Sequence, residues 1–177
     1  MVFFERFFWL VMAWVALTCA SPGYAASITL RQAQAELAPD GGRPRTAAVA
    51  LSHRWDSAFP GRGGQARYLL MLPPSPADMP HGLYFPRVGN QIEIHVAGQL
   101  IARRGTLGDA RVDAAKSPLW VPVPSSLLSP QHSTPLQVVV STQAGRWGGL
   151  AAPMFGPEVE VYPVYQARYV WRQWGAV

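Results

Sequence analysis

Apolar and polar positions alternate most plainly in NQIEIHVAGQLIARRG, where Ile92, Ile94 and Val96 take turns with Glu93 and His95. A period of two buries one face of a strand and leaves the other in water. Gly98 supplies a turn and LIARRG returns, so this stretch predicts a β-hairpin. ARYLLMLP (66–73) predicts a strong strand, TAAVALS (46–52) a short one, and PLQVVVST (135–142) one of the buried type. LWVPVP (119–124) predicts a further strand, followed by a turn-like helix in which Ser125 or Ser126 is the N-cap. LYFPRV (83–88) reads as an edge-like strand interrupted by Pro86. In PEVEVYPVY (157–165), Val159 and Val161 alternate with Glu158 and Glu160, which predicts the last strand. Residues 30–38 predict a short helix ended by Pro39 and Gly41-Gly42. About seven or eight strands with regularly spaced turns point to an all-β sandwich.

Composition agrees. Apolar residues make up 49% of the 177, with Pro 17, Gly 16 and only 14% charged, which suits a loop-rich β domain. The first residues change the picture of where the chain works. MVFFER is a short lead with Arg6, Phe7 to Ala20 is an apolar run of 14 residues, and SPGYAAS offers cleavage after Ala25 or Ala26. The run suits the core of an export signal and is short for a membrane span. Residues 1–26 are therefore expected to be a signal peptide and 27–45 an entry segment, with the mature chain exported to the periplasm. An uncleaved anchor is the alternative. Cys19 is the chain's one cysteine, and Ala16 and Thr18 fit a lipoprotein signal poorly; cleavage would leave no thiol for a disulfide or a metal. The net charge is +5, and the basic residues are scattered, whereas nucleic-acid binders cluster them. A nucleic-acid partner is not expected.

No catalytic motif stands out. The sequence holds no G-x-S-x-G, H-E-x-x-H, P-loop or G-x-G-x-x-G pattern. Glu158 and Glu160 share a face of the predicted strand; that pair serves glycoside hydrolysis only with a whole site around it, and a solvated strand face is the simpler reading. His53, His81, His95 and His132 form no helical pair, His95 with Glu93 is a weak metal pair, and Asp109 with Asp113 matches no EF-hand spacing. The expectation is a non-enzyme with no cofactor and no metal. Two glycine-bracketed stretches carry more. FPGRGG presents Arg62 and AGRWGGL presents Arg146 and Trp147 on tight loops. Arg offers a planar fork to carboxylate or phosphate, and Trp a flat face to a sugar ring or cation. PRVGNQ adds Arg87 and Asn90 at a strand entrance, where satisfying backbone groups is the competing reading. Arg62, Arg87, Asn90, Arg146 and Trp147 are the candidate ligand-binding set. The competing reading has Trp147 plugging the core and Arg146 paired with an acid.

The order of these pieces resembles the galactose-binding-like jelly roll, carried by RYLLMLP, IEIHVAGQLI and LWVPVPSSLLSPQHSTPLQVVVS. Ala97-Gly98 stands where that family has Asn-Gly, and its Gly-x-Asn turn is missing from SPQHSTPLQVVV. More narrowly, RWDSAFPGRGGQARYLLMLP, YFPRVGNQIEIHVAGQLI, GRWGGLAAPMFGP and YQARYVWRQWGA resemble the periplasmic sensory domain of bacterial 7TM receptors with diverse intracellular signalling modules, in the sensor histidine kinase form. The resemblance covers roughly residues 45–177. It implies a jelly-roll sensory domain over 46–163 and a short juxtamembrane helix over 164–177. It also implies a ligand-sensing role in two-component signal transduction at the inner membrane, in a receptor truncated before its membrane helices. Its partners would be an unknown small molecule or carbohydrate, and the membrane surface or the receptor's transmembrane helices. Tyr169, Trp171, Arg172 and Trp174 are the candidate membrane-interface residues, since amphipathic aromatics and arginine favour that boundary; a last strand and frayed tail packed on the sandwich is the plainer reading. The alternatives are a carbohydrate-binding accessory module of a secreted enzyme, a small periplasmic enzyme, or a non-functional gene fragment.

Overall fold

The computed structural model describes residues 26–174. The signal-peptide expectation, up to Ala25, lies outside them. Among the described residues the chain forms an all-β sandwich of two antiparallel sheets, with helices as accessories. The larger sheet takes β2 (Gln32–Pro39), β3 (Arg45–Ala50), β5 (Gly64–Leu72), β7 (Gln91–Val96), β8 (Gln99–Arg104) and β10 (Thr134–Thr142). Their order across the sheet is β3-β2-β5-β10-β7-β8. The smaller takes β1 (Ile28–Thr29), β6 (His81–Phe85), β9 (Leu119–Val123) and β12 (Met154–Pro157), in the order β1-β12-β6-β9. A two-stranded ribbon joins β4 (His53–Arg54) to β11 (Gly149–Leu150). The helices are α1 (Trp55–Ala58) and α2 (Glu158–Trp174).

The inward positions follow the period of two. Ala66, Tyr68, Leu70 and Leu72 of β5, Ile92, Ile94 and Val96 of β7, and Leu136, Val138 and Val140 of β10 meet Leu83 and Phe85 of β6, Val121 and Val123 of β9 and Phe155 of β12 in one buried cluster. Non-directional burial of this apolar area holds the two sheets together. Register is set by the same pattern, because a one-residue slip would turn every inward side chain to water. The β7–β8 hairpin turns at Ala97 and Gly98 with φ of 49° and 81°, the doubly positive geometry that makes Asn-Gly the usual pair.

Three elements differ from the sequence expectation. Residues 30–38 were expected to be helical, yet Gln32–Pro39 is a strand with Ala33, Ala35 and Leu37 buried and Gln32, Gln34 and Glu36 exposed. Alanine favours helix, but pairing with β3 on one side and β5 on the other overrides a weak intrinsic preference. The expected entry segment thus supplies β1 and β2. LYFPRV was expected at an edge, yet β6 lies between β12 and β9 and all five of its residues are buried. Pro86 follows the strand and ends it, so its missing N–H costs the ladder nothing.

The third difference is the largest. Residues 157–165 were expected to form a last strand; Glu158–Trp174 is a helix of 17 residues. Val159 is 76% exposed while Val161 is fully buried, because residues two apart on a helix face opposite ways. Glu158 and Glu160 sit in its first turn, where carboxylates favour the positive end of the helix. Glu160 also accepts a hydrogen bond from the Ser27 backbone N–H at 2.7 Å, so the two carboxylates do not form a catalytic pair on one strand face. The helix covers the outer face of the smaller sheet through Tyr162 and Tyr165, which pack on Trp120 at ring distances of 5.2 and 6.4 Å. Tyr84 meets Tyr165 at 6.1 Å. Gly82 leaves room for the Trp120 ring, which an added Cβ would overlap.

Candidate functional site

The ribbon β4–β11 builds one corner of the sandwich. Gly149 pairs with Arg54 and Leu150 with His53. The turn that enters the ribbon is closed by Arg146 N–H donating to the Gln143 carbonyl at 3.1 Å, with Gly145 at φ 75°. Gly148 N–H donates to Asp56 Oδ2 at 3.0 Å, and Trp55 N–H to the Gly148 carbonyl at 3.3 Å. Beneath them Trp55 is fully buried, its Nε1–H donating to the Arg62 carbonyl at 2.8 Å.

These contacts leave a cleft of about 430 Å³ lined by Arg54, Asp56, Ser57, Gly61, Gly145, Arg146 and Trp147. Trp147 is 66% exposed, with the Arg54 guanidinium 5.8 Å from its ring centre. Arg146 Nη1 donates to the Ala110 carbonyl at 3.2 Å, which ties the side chain to the loop that carries Ala110. Trp147 is therefore not a core plug, and Arg146 pairs with a carbonyl rather than an acid.

The expected binding residues divide. Arg146 and Trp147 line the cleft. Arg62 does not; its guanidinium lies near Gly42 at the β2–β3 turn, and its carbonyl anchors Trp55. Asn90 is fully buried, giving Nδ2–H to Asp113 Oδ1 at 2.9 Å and accepting from Gln143 N–H at 2.8 Å. It clamps the loop that leads to Arg146. Arg87 is half-buried and does not line the cleft; burial and the Arg54 charge lower its pKa, while Asp56 and Tyr68 raise it. Its Nη1 is sealed from solvent with no hydrogen-bond acceptor among the described residues. Arg54 and Asp56 were missed from the sequence; the signal was in RWDS, where charges flank a tryptophan bound for the core.

Other expected chemistry is spent on structure. Asp109 is bound by Arg111, which draws its pKa down to about 2. Asp113 caps the turn at Ala115 N–H. Glu93 meets Arg103 at 2.9 Å and His95 at 3.5 Å. No group of three potential metal ligands occurs among the described residues. Of the membrane-interface set, Trp171 is 78% exposed, and Tyr169 is 41% exposed and packs on Tyr165 at 5.8 Å. The side chains of Arg172 and Trp174 lie outside the described part of the chain.

His53 gives a pH-dependent contact. Its Nδ1 lies 2.8 Å from the Tyr68 hydroxyl, and burial, then the Arg45 charge, lower its pKa below 6.5. The unfolded chain then binds the proton first, so stability is full above about pH 6.5 and falls as pH drops toward the folded-state pKa. His53→Gln keeps a polar partner for Tyr68 without titrating. Urea denaturation at pH 7 and pH 5 should show a smaller loss for this variant than for the parent chain.

No family model matches the chain, and no curated protein matches it. Solved structures do. A GH2 β-galacturonidase domain from Eisenbergiella tayi matches at TM-score 0.53 and 15% identity, covering 73% of this chain and 24% of that one. The β-glucuronidase of Ruminococcus gnavus matches at TM-score 0.57 and 11% identity, with 76% and 29% covered. A Faecalibacterium prausnitzii β-glucuronidase matches at TM-score 0.53 and 15% identity, with 77% and 32% covered. The chain spans about a quarter to a third of their length, and at such identity the likeness shows the fold alone. These neighbours are glycoside hydrolase domains and not sensor histidine kinase domains. No helix among the described residues is long and apolar enough to cross a membrane. The expected description as a two-component, sensor-histidine-kinase domain is corrected by these glycoside hydrolase neighbours. The receptor resemblance rests on sequence motifs alone.

Proposed function

We propose that this chain is a carbohydrate-binding accessory domain of β-sandwich type, working beside a glycosidase rather than performing the chemistry itself. The observation that carries this is Trp147, a large flat ring held 66% exposed at the rim of a cleft and backed by Arg54. An exposed tryptophan of this kind offers a platform for a sugar ring, with polar groups beside it to fix orientation. Hydrolysis would need two carboxylates flanking the bond. Asp56 is the cleft's one carboxylate among the described residues, and it is engaged by Gly148 N–H. The fold likeness to glucuronidase and galacturonidase sandwich domains supports the same reading. In it the chain acts in the periplasm, as the export pattern at its N-terminus implies.

The test is calorimetric titration of the full chain with a panel of neutral and acidic oligosaccharides. Trp147→Ala should weaken binding about tenfold, the worth of one stacked ring, with an unchanged melting temperature because the ring is exposed. Absence of binding to the whole panel, or equal binding by the variant, would end the proposal.

A further inference from the structure

The cleft carries more positive charge than its neighbours neutralise. Arg54 and Arg146 line it, and neither forms an ion pair among the described residues. The acids that are paired lie elsewhere, Glu36 with Arg67, Glu93 with Arg103 and His95, and Asp109 with Arg111. Asp56 is the local exception, and its Oδ2 already accepts from Gly148 N–H. Two arginines against a single, already engaged carboxylate make the cleft a place for an anion.

We propose that the cleft selects saccharides carrying a carboxylate, that is, uronic acid residues, over neutral sugars. This rests on the carbohydrate-binding reading above and names its ligand class. A carboxylate matches the planar donor fork of arginine in two hydrogen bonds, which fixes orientation as well as sign. Arg54 covers one face of the Trp147 ring, and the ring's exposed remainder receives the sugar. Pyranose ring and carboxylate are thereby read by adjacent groups. Ser57 at the cleft wall offers a hydroxyl to the sugar's own.

The experiment compares trigalacturonic acid with its fully methyl-esterified form, which keeps the rings and removes the charge. Titrated into the full chain at low salt, the acid should bind about tenfold tighter, and the gap should shrink as salt screens the cleft. Arg54→Gln and Arg146→Gln, both at exposed positions, should each remove most of the preference. Arg67→Gln, on the outer face of the larger sheet and paired with Glu36, should leave it intact. Equal binding of acid and ester would overturn the selectivity while the carbohydrate-binding reading stood. A preference untouched by both cleft variants would overturn it too, as would displacement of the acid by inorganic phosphate at equal concentration, which would make this a plain anion site. Binding of neither compound would overturn the uronic-acid selectivity, while the carbohydrate-binding reading falls only with the whole panel.

Discussion

Trp55→Ala is expected to lower the free energy of unfolding by about 4 kcal/mol, within the usual range for removing a buried tryptophan, and to abolish saccharide binding with it. The indole is fully buried beneath the cleft's loops. It packs on Phe59 at 4.5 Å between ring centres. Gly64 lies so close to the indole that an added Cβ would come within 2.7 Å of Cζ2, and Gly148 so close that its Cβ would be 3.1 Å from that of Trp55. The ring is thus wedged between β5 and the loop that carries Arg146 and Trp147. Truncation leaves a cavity between rigid backbones that close only in part. It also strips the Arg62 carbonyl of its donor. Trp55→Phe separates the two effects: most of the volume stays and the Nε1–H is lost, so a cost of about 1–2 kcal/mol is expected. Urea denaturation with a common m-value gives the comparison. A loss below about 1 kcal/mol for Trp55→Ala would mean that the corner stands without its wedge.

The sandwich was legible wherever large branched residues alternate with polar ones. Ile92, Ile94 and Val96, and likewise Leu136, Val138 and Val140, leave no helical stripe, and all become inward positions of central strands. The reading failed where side-chain type and spacing disagreed. Gln32–Pro39 has the strand period but is built on small alanines that also suit a helix, and only its two neighbours decide the matter. Val159 and Val161 mimic strand alternation over too few residues; Tyr162, Tyr165 and Tyr169, at helical spacings, were the better guide. At the site, glycines flanking Arg146 and Trp147 announced an exposed turn from sequence alone. Arg54 and Asp56 could not be assigned to it, because Asp56 meets Gly148 across 92 residues. Asn90 illustrates the converse. A polar residue at a strand entrance could serve a ligand or the backbone, and the fold takes the second course, spending its amide in joining Asp113 to Gln143.

Gly149→Ala is the sharpest test of how the cleft is held. The residue sits at φ +101°, a conformation that side chains rarely adopt. An added Cβ would lie 2.2 Å from the His53 carbonyl oxygen and 2.9 Å from Trp55 N. Both atoms are backbone, so no side chain can swing aside, and β11 must part from β4. The expected cost is about 3 kcal/mol, from backbone strain together with the lost Gly149–Arg54 pairing. Gly145→Ala supplies the internal comparison. Its φ is +75°, yet nothing lies within 4 Å of the added Cβ, so it should cost only about 1 kcal/mol for left-handed backbone. Thermal melts of the two variants therefore divide conformational strain from steric collision. Binding divides them again. At a temperature where both remain folded, Gly149→Ala should lose the acidic trisaccharide because Arg54 and Trp147 no longer share a frame, and Gly145→Ala should retain most of it. Equal stability of the two variants would mean that the ribbon yields without cost, and the cleft would then owe its shape to Trp55 and the Asp56–Gly148 hydrogen bond alone.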